Sequence, residues 1–300
     1  MKDLERHRLN ELPHDATEAS HIRYQLARDI AERCPTPLGL EVVLTGSASH
    51  GFSDEFSDIE MVFYSDQIPS TENRQSWLYE IDADQSSFDA EPIEDGSIWA
   101  TFRYQGIWVE AGWQTFNAHE RLLHDILAAS IIDHPRLTLA EITACAVPLR
   151  TQGQLAHWQE QLTHYPDQLQ RRLITGATEL WMFPHLIEMR WVMARRGQWL
   201  LLRDRLIRAV YDVLRILFAV NKQWEPEWKW LDAVVASLSI KPERLVERIN
   251  AIASMSLSEQ SVAACLQLVL DTLLLIPPPY IVSRSVAMLQ ESLRKHGYSE

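Results

Sequence analysis

Residues 42–64 limit the possible folds of this chain more than any other stretch, because a short apolar run, a small polar loop and a second apolar run follow one another there. The first run, residues 42–44, is typical of a buried strand and ends shortly before a Gly-Ser pair. The second run, residues 59–64, begins directly after Asp58 and contains Glu60. Because successive side chains of a strand alternate between faces, these two carboxylates are predicted to point the same way. Neighbouring carboxylates repel each other, and a divalent cation between them would stabilise the pair.

The loop between the two runs has the character of a phosphate-binding turn. Residues 47–50 are long enough for one helical turn, whose first backbone N–H groups would face a phosphate. Ser47, which follows Gly46, would add a hydroxyl donor. His50 would supply a further contact that depends on pH, and a capping or solvent-exposed histidine is the alternative interpretation.

A β-hairpin is predicted from two β-rich runs, residues 98–104 and 107–111, which a Gln-Gly turn separates. Glu110 lies in the second run. A carboxylate in an otherwise apolar strand needs a partner, because burial of an isolated charge is costly. Upstream of the hairpin, residues 69–81 are predicted as a helix or an irregular connection, and residues 82–95 as a loop.

These features resemble the signature of the nucleotidyltransferase superfamily, which has a polymerase β-like fold. In that family a Gly-Ser pair, here residues 46–47, precedes an acid–apolar–acid strand, here residues 58–60. The string at residues 57–61 is similar to the antibiotic-modifying branch, of which kanamycin nucleotidyltransferase is an example. The resemblance covers about residues 40–115. Beyond them it rests only on a helical C-terminal half.

The resemblance implies a Mg²⁺-dependent transfer of AMP from ATP to a hydroxyl of a small acceptor, with release of pyrophosphate. It assigns Asp58, Glu60 and Glu110 to the metal ions as catalytic carboxylates. It also assigns Gly46 and Ser47 to the nucleotide. The alternative interpretation is that the first two acids are solvated at a strand end and that the third forms a salt bridge.

Beyond residue 117, apolar residues recur three and four apart almost to the end of the chain, which predicts a helical C-terminal part. The predicted helices, together with one over residues 15–33, span residues 118–131, 138–146, 151–163, 166–197, 199–222, 226–237, 241–253, 258–275 and 279–295. An interruption is expected at Pro184, because an interior proline destabilises a helix by about 3 kcal/mol. The predicted fold class is α+β, with a small mixed β-sheet nucleotidyltransferase domain over residues 1–140 and a helical-bundle domain over residues 141–300.

The helical part also contains candidate site residues. Enzymes of the kanamycin type use a glutamate from the first long helix of the C-terminal domain as general base, which implies Glu188 here, with Glu179 and His185 as alternatives. A surface ion pair is the other interpretation of Glu188. The tryptophan- and lysine-rich segment 221–230 resembles a corner of streptomycin-modifying adenylyltransferases, which implies that Lys229 approaches the nucleotide phosphates. Alternatively, its tryptophans anchor a core and its lysines extend from it.

The net charge and the cysteines indicate which classes of partner and which cellular compartment the sequence favours. The formal net charge is −13 and no basic stripe is visible, so a polynucleotide partner is not expected. An acidic surface favours a small cationic acceptor, such as an aminoglycoside-like antibiotic. Cys34, Cys145 and Cys265 have no metal-type spacing and are expected to be reduced and buried. The sequence has no leader and no apolar run of membrane length, so a cytoplasmic monomer or homodimer is expected.

Three functions therefore remain open. The first is a small-molecule adenylyltransferase, of which antibiotic resistance is one form. The second is adenylylation of a protein or tRNA, as in toxin-like relatives, and the acidic balance weighs against it. The third is a nucleotide-binding module without turnover, against which the retention of all three acids weighs.

Overall fold

The computed structural model describes residues 11–280 and 282–298. Its first compact unit extends to His164 and is built on one mixed sheet. Within the described residues, the six strands of this sheet are β1 (Glu41–Thr45), β2 (Ile59–Ser65), β3 (Asp84–Phe88), β4 (Ile98–Tyr104), β5 (Ile107–Thr115) and β6 (Val147–Arg150). Their spatial order is β3-β4-β5-β2-β1-β6. The neighbours β2 and β5 are parallel, and the other neighbouring strands are antiparallel.

The helices of this unit lie on both faces of the sheet. They are α1 (Glu18–Arg33), α2 (Gly46–Ser49), α3 (Thr71–Glu80), α4 (Phe116–Leu127), α5 (His134–Cys145) and α6 (Gln154–Leu162). The predicted hairpin is confirmed, because β4 and β5 pair in antiparallel register with Tyr104 opposite Ile107. The predicted turn after β1 is also helical and forms α2.

One face of the sheet carries the apolar core of the unit. Ile59, Met61 and Phe63 alternate along β2 and are fully buried. They belong to one core cluster with Ile30 of α1 and Trp77 of α3. Burial of each such side chain stabilises the fold by about 1.5–3 kcal/mol, so the register of β2 is strongly fixed. The intervening residues 60, 62 and 64 consequently face the other side of the sheet.

The other face is covered in part by an aromatic cluster. The ring of Tyr64 lies 4.8 Å from those of His119 on α4 and Trp158 on α6. Burial lowers the pKa of His119 to about 3. Its ring therefore stays neutral and contacts Gln114 and Thr143 at 3.0 and 3.2 Å. This cluster covers the C-terminal half of β2, whereas the acids lie at the N-terminal half of the same face.

The two edge strands depart from the sequence prediction. A loop is predicted over residues 82–95, and this is wrong because the segment contains β3. Its first four side chains are polar and exposed, and only Phe88 at its end is apolar, so the strand has no apolar alternation to indicate it. At the opposite edge, β6 is only four residues long and contains Pro148, which obscures it in the sequence.

The first unit also extends past the predicted domain boundary at residue 140 and includes residues 141–164. One reason is that β6 pairs with β1. Another is the carboxylate of Glu41 in β1, which is fully buried. It accepts hydrogen bonds from the backbone N–H groups of Gln152 and Leu155, at 2.8 and 3.1 Å, where α6 begins. Because a buried carboxylate needs such donors, these bonds fix α6 to the sheet.

The second unit, from Tyr165 onwards, is helical in its described part. Its helices are α7 (Asp167–Glu179), α8 (Pro184–Arg195), α9 (Trp199–Val220), α10 (Leu231–Ala236), α11 (Leu245–Ser254), α12 (Glu259–Leu274) and α13 (Ser283–Lys295). The predicted interruption is confirmed, because Pro184 is the first residue of α8, a position where proline is favoured. The fold class is α+β, a mixed sheet with a helical C-terminal part, as predicted. Among the described residues, the helices lack the length and apolar character that crossing a lipid bilayer requires.

Candidate active site

Three carboxylates gather at the junction of β2 and β5. Glu60 and Glu110 lie in direct register on these parallel strands. Their strand neighbours Ile59 and Val109 are fully buried in the core, so the two glutamates share the opposite face. Asp58 immediately precedes β2, two residues before Glu60. The structure thus has Glu60 and Glu110 on adjacent strands, as the sequence predicts.

A cleft opens beside these acids within the first unit. Asp58 and Glu110 both line it, and its volume is about 490 Å³. The remaining lining residues come from α1, from the loop before β2 and from the hairpin: Arg23, Glu55, Phe56, Ser57, Thr101, Arg103, Gly106, Ile107, Trp108 and Val109. A cavity of this volume lies within the range of small-molecule sites. The cleft thus makes Asp58 and Glu110 accessible to a ligand.

Gly46 brings the α2 turn against the acids. Its φ is +65°, and a Cβ at this position would lie 2.5 Å from both Cδ and Oε2 of Glu60. A larger residue would therefore collide with that carboxylate, so glycine permits the close approach. The next residue, Ser47, lies in the same turn, and its Oγ is 3.1 Å from Oγ of Ser53. Gly46 therefore lies directly against Glu60, the second acid of the predicted pair.

Arg23 holds the loop that leads to Asp58, a role that sequence reasoning missed. Its buried guanidinium donates from Nε to the carbonyl oxygen of Ser57 at 2.8 Å. Burial lowers the pKa of Arg23, and the negative charges of Asp54 and Asp58 act in the opposite direction. A fixed positive charge therefore lies near the first acid. An arginine on the inner face of an amphipathic helix was the only signal in the sequence.

His50 caps α2 and faces α5. Its Nε2 lies 3.1 Å from Oε1 of Glu141. Burial lowers the pKa of His50, but the carboxylates of Glu141 and Glu60 outweigh it, and the net shift is upward. The imidazole is therefore close to the acids, but one of its nitrogens is engaged by a residue that the sequence did not indicate. Whether His50 contacts a phosphate stays a prediction.

The distances between donor atoms of neighbouring side chains determine how a metal ion could bind. Within residues 11–280 and 282–298, donor atoms of three side chains lie within 4.8 Å of one another only at His50, Glu141 and Cys145. Asp58, Glu60 and Glu110 do not form such a tight group. A metal ion at these acids would therefore need side-chain rotation, or ligands supplied by water and substrate phosphates.

Glu188, the predicted general base on α8, is engaged within the second unit. Its Oε1 accepts from the Ser292 hydroxyl at 2.8 Å, and its Oε2 accepts from Lys295 at 2.7 Å. His296 contacts the same Oε2 at 3.0 Å. Burial raises the pKa of Glu188, but these hydrogen bonds outweigh it and lower the pKa to about 2. A carboxylate with so low a pKa is a weak base at neutral pH, which favours the ion-pair interpretation.

The other candidates of the second unit lie on its surface. Lys229 is exposed and pairs with Glu227 at 3.2 Å. Glu179 is exposed at the end of α7, and His185 is exposed in the first turn of α8. Their assignment to the nucleotide or to the base stays a prediction.

Comparisons with known proteins add little to this geometry. A family model described as a domain of unknown function (DUF4037) matches residues 132–231, which is a third of the chain. Among solved structures, the chain is similar to a nucleotidyltransferase-like protein from Exiguobacterium sibiricum 255-15, with 12% identity, a TM-score of 0.38, and coverage of 90% of this chain and 79% of that one. So distant a likeness carries no conclusion about function. No curated protein matches the sequence.

Proposed function

We propose that this chain is a nucleotidyltransferase that transfers AMP from ATP to a hydroxyl group of a small acceptor and releases pyrophosphate. The observation that carries the proposal is that Glu60 and Glu110 lie in register on two adjacent parallel strands and share one face, with Asp58 directly before the first of these strands. The contact of Gly46 with Glu60 supports it independently, because it joins the Gly-Ser turn to these acids.

The three carboxylates fit Mg²⁺. Asp58 and Glu110 line one cleft, and Glu60 is in register with Glu110, so three hard oxygen donors lie in or next to that cleft. Mg²⁺ prefers such oxygens and keeps part of its shell for water or substrate phosphates. These three residues would hold the metal. When bound, Mg²⁺ neutralises charge on the triphosphate and favours ionisation of the acceptor hydroxyl.

The remaining residues of the site would bind and orient the nucleotide. The backbone N–H groups of the α2 turn would donate to a phosphate, and the Ser47 hydroxyl would donate to one of its oxygens. In the reaction, the acceptor oxygen forms a bond to the α-phosphorus while the bond from that phosphorus to the bridging oxygen of pyrophosphate breaks. Positioning and charge neutralisation would supply most of the rate enhancement.

The acceptor is proposed to be small and cationic, either an aminoglycoside-like antibiotic or a metabolite. The net charge of −13 supports this choice, since it attracts cations. The cleft also contains the exposed Glu55 and the ring of Trp108, which is 46% exposed. The guanidinium of Arg103 lies 5.6 Å from the centre of that indole ring, so the ring already contacts a cation, and the carboxylate of Glu55 would add to the attraction for an amine.

Pyrophosphate release tests the proposal. The full-length protein is incubated with Mg²⁺, ATP and a panel of hydroxylated amines. Released pyrophosphate is measured, and the acceptor that carries AMP is identified by mass spectrometry. We expect acceptor-dependent pyrophosphate that Asp58→Asn abolishes and that Asp84→Asn, at an exposed position of the edge strand β3, leaves unchanged. Full activity of Asp58→Asn, or no product with any nucleotide and acceptor, would refute it. A product on protein or tRNA alone would redirect the proposal to a macromolecular acceptor.

A further inference from the structure

A second group of metal-ligand side chains lies in the first unit, on α2 and α5. Glu141 and Cys145 are four residues apart on α5, so they share one face of that helix. His50, at the end of α2, faces them with its Nε2 3.1 Å from Oε1 of Glu141. The imidazole nitrogen, the carboxylate oxygen and the sulfur all lie within 4.8 Å of one another. Two separate elements thus present three different donors to one point.

We propose that His50, Glu141 and Cys145 bind a transition metal ion, of which Zn²⁺ is the best match. Zinc accepts imidazole nitrogen, carboxylate oxygen and thiolate sulfur together, at about 2.0–2.3 Å. Donors around a tetrahedral zinc ion are then about 3.3–3.7 Å apart, so the present spacing needs only small side-chain rotations. The thiolate selects against Mg²⁺, which prefers oxygen ligands alone. The two anionic ligands, the carboxylate and the thiolate, balance the charge of the ion.

The surroundings favour this ion as well. All three side chains are partly buried, so an ion there is shielded from bulk water but remains accessible. The negative charge of Glu60 also acts on His50 and adds to the attraction for a cation. The sequence suggested the opposite for Cys145, namely a buried thiol with no metal-type spacing. That expectation considered spacing between cysteines only, whereas this site combines one cysteine with a glutamate one helical turn away and a distant histidine.

An ion at this point would connect the α2 turn to α5. Gly46 and Ser47 lie at the start of the same turn that His50 ends, so the bound ion would hold the turn in place against the sheet. Three protein ligands leave one of the four usual positions for water or a further donor. The site does not depend on the proposed transferase activity, because it involves none of the three acids assigned to Mg²⁺.

Cobalt spectroscopy tests the site directly. Metal-free, reduced full-length protein is titrated with Co²⁺, and the thiolate-to-cobalt charge-transfer band is followed. We expect saturation at one equivalent and loss of the band on addition of Zn²⁺. Cys145→Ser should abolish the band, whereas Cys34→Ser, a buried thiol at the end of α1, should retain it. Asp58→Asn should also retain it, which separates this site from the transferase centre.

A second measurement covers the case in which a variant folds poorly. Zinc binding to the unmodified protein should protect Cys145 from alkylation, while the alkylation rates of Cys34 and Cys265 stay unchanged, as peptide mass spectrometry would show. Glu141→Gln keeps a hydrogen-bonding group opposite His50 and should weaken zinc binding at least about tenfold, since loss of an outer-shell partner alone costs about 10–100-fold. Absence of the cobalt band, or equal alkylation of Cys145 with and without Zn²⁺, would overturn the proposal and leave a histidine–glutamate ion pair.

Discussion

The candidate carboxylates of the sheet lie beside other carboxylates, whereas Glu188 of the helical unit lies among hydrogen-bond donors. At the junction of β2 and β5, Glu60 stands in register with Glu110, and Asp58 shares a cleft with Glu110, so negative charges lie side by side. On α8, Glu188 is surrounded by donors, among them Lys295 at 2.7 Å. The family resemblance implied a catalytic role for all four, with a surface ion pair as the other interpretation of Glu188. Only their neighbours distinguish them.

This contrast distinguishes carboxylates that stabilise the folded protein from carboxylates that would bind a metal ion or substrate. A carboxylate that is matched by cations of its own unit stabilises that unit, because its charged form gains hydrogen bonds. Adjacent carboxylates repel each other and oppose folding unless a cation or a substrate binds between them. Substitutions in the two regions should therefore differ in whether they mainly lower the transfer rate or mainly lower the free energy of unfolding.

The strongest response is expected from Glu110→Gln. Removal of one oxygen ligand should lower the transfer rate by about 10²–10³-fold, similar to loss of other electrostatic contacts to a transition state. The substitution also relieves the repulsion between Glu110 and Glu60, which contributes favourably to the free energy of unfolding. Steady-state kinetics and denaturant unfolding measure the two quantities, with Glu91→Gln at an exposed position as the control. Normal activity together with reduced stability would instead assign Glu110 to an ion pair.

Gly46→Ala should affect both quantities in the same direction. The residue has a φ of +65°, and the added Cβ would lie 2.5 Å from the Glu60 carboxyl carbon, so strain and a displaced acid are combined. We expect a loss of about 2–3 kcal/mol of stability together with most of the activity. Gly153→Ala is the matched control, since its φ is +97° and no atom lies within 4 Å of the position that its Cβ would occupy. It should lose stability alone. Equal activity losses in both variants would show that backbone strain, and not the contact with Glu60, is responsible.

Glu188→Gln should lower the stability of the protein and leave the transfer rate nearly unchanged. We expect a loss of about 1–3 kcal/mol of stability and little change in the transfer rate of the folded protein. Burial alone would raise the pKa of Glu188, but its hydrogen bonds lower it from 4.5 to about 2. Its contribution to stability is therefore complete above pH 4.5 and disappears as the pH falls through about 2. Urea unfolding of both proteins at several pH values measures this, with Glu179→Gln as an exposed control. A large fall in rate at unchanged stability would restore Glu188 as the general base.

The parts of the fold that could be predicted from the sequence are those with local patterns. The alternation in β2, the hairpin and the break at Pro184 each depend on neighbours a few residues away, which a single sequence displays. The edge strands β3 and β6 escaped because they are polar or very short. These segments become strands because β4 and β1 offer backbone hydrogen bonds to them, and their own side chains give little indication of it.

The residues of the candidate site also fall into those that a local pattern indicates and those that depend on distant contacts. Asp58 and Glu60 could be found from their spacing, and Glu110 from its strand together with the family resemblance. The partners of Glu188 could not, since Ser292 lies 104 residues further along the chain. Arg23 is likewise 34 residues from the carbonyl group it binds. Long-range contacts of this kind decide whether a candidate residue is catalytic or structural, and no local pattern encodes them.

The weakest response is expected at Asp212 on α9, a carboxylate of the helical unit whose charged form is disfavoured by burial. Burial raises its pKa to about 6, against the opposing charges of Arg215, Arg190 and Arg208. Since the folded state holds this proton more tightly than the unfolded state, stability falls as the pH rises from about 4 through about 6. Asp212→Asn should therefore unfold at the same denaturant concentration as the wild type at pH 4, and be more stable by about 1 kcal/mol at pH 7.5. Asp204→Asn, on the same helix and paired with Arg208, is the control and should show no such gain. If Asp212→Asn is instead destabilised at pH 7.5, the three arginines outweigh burial, and Asp212 belongs with Glu188 among the charge-matched carboxylates.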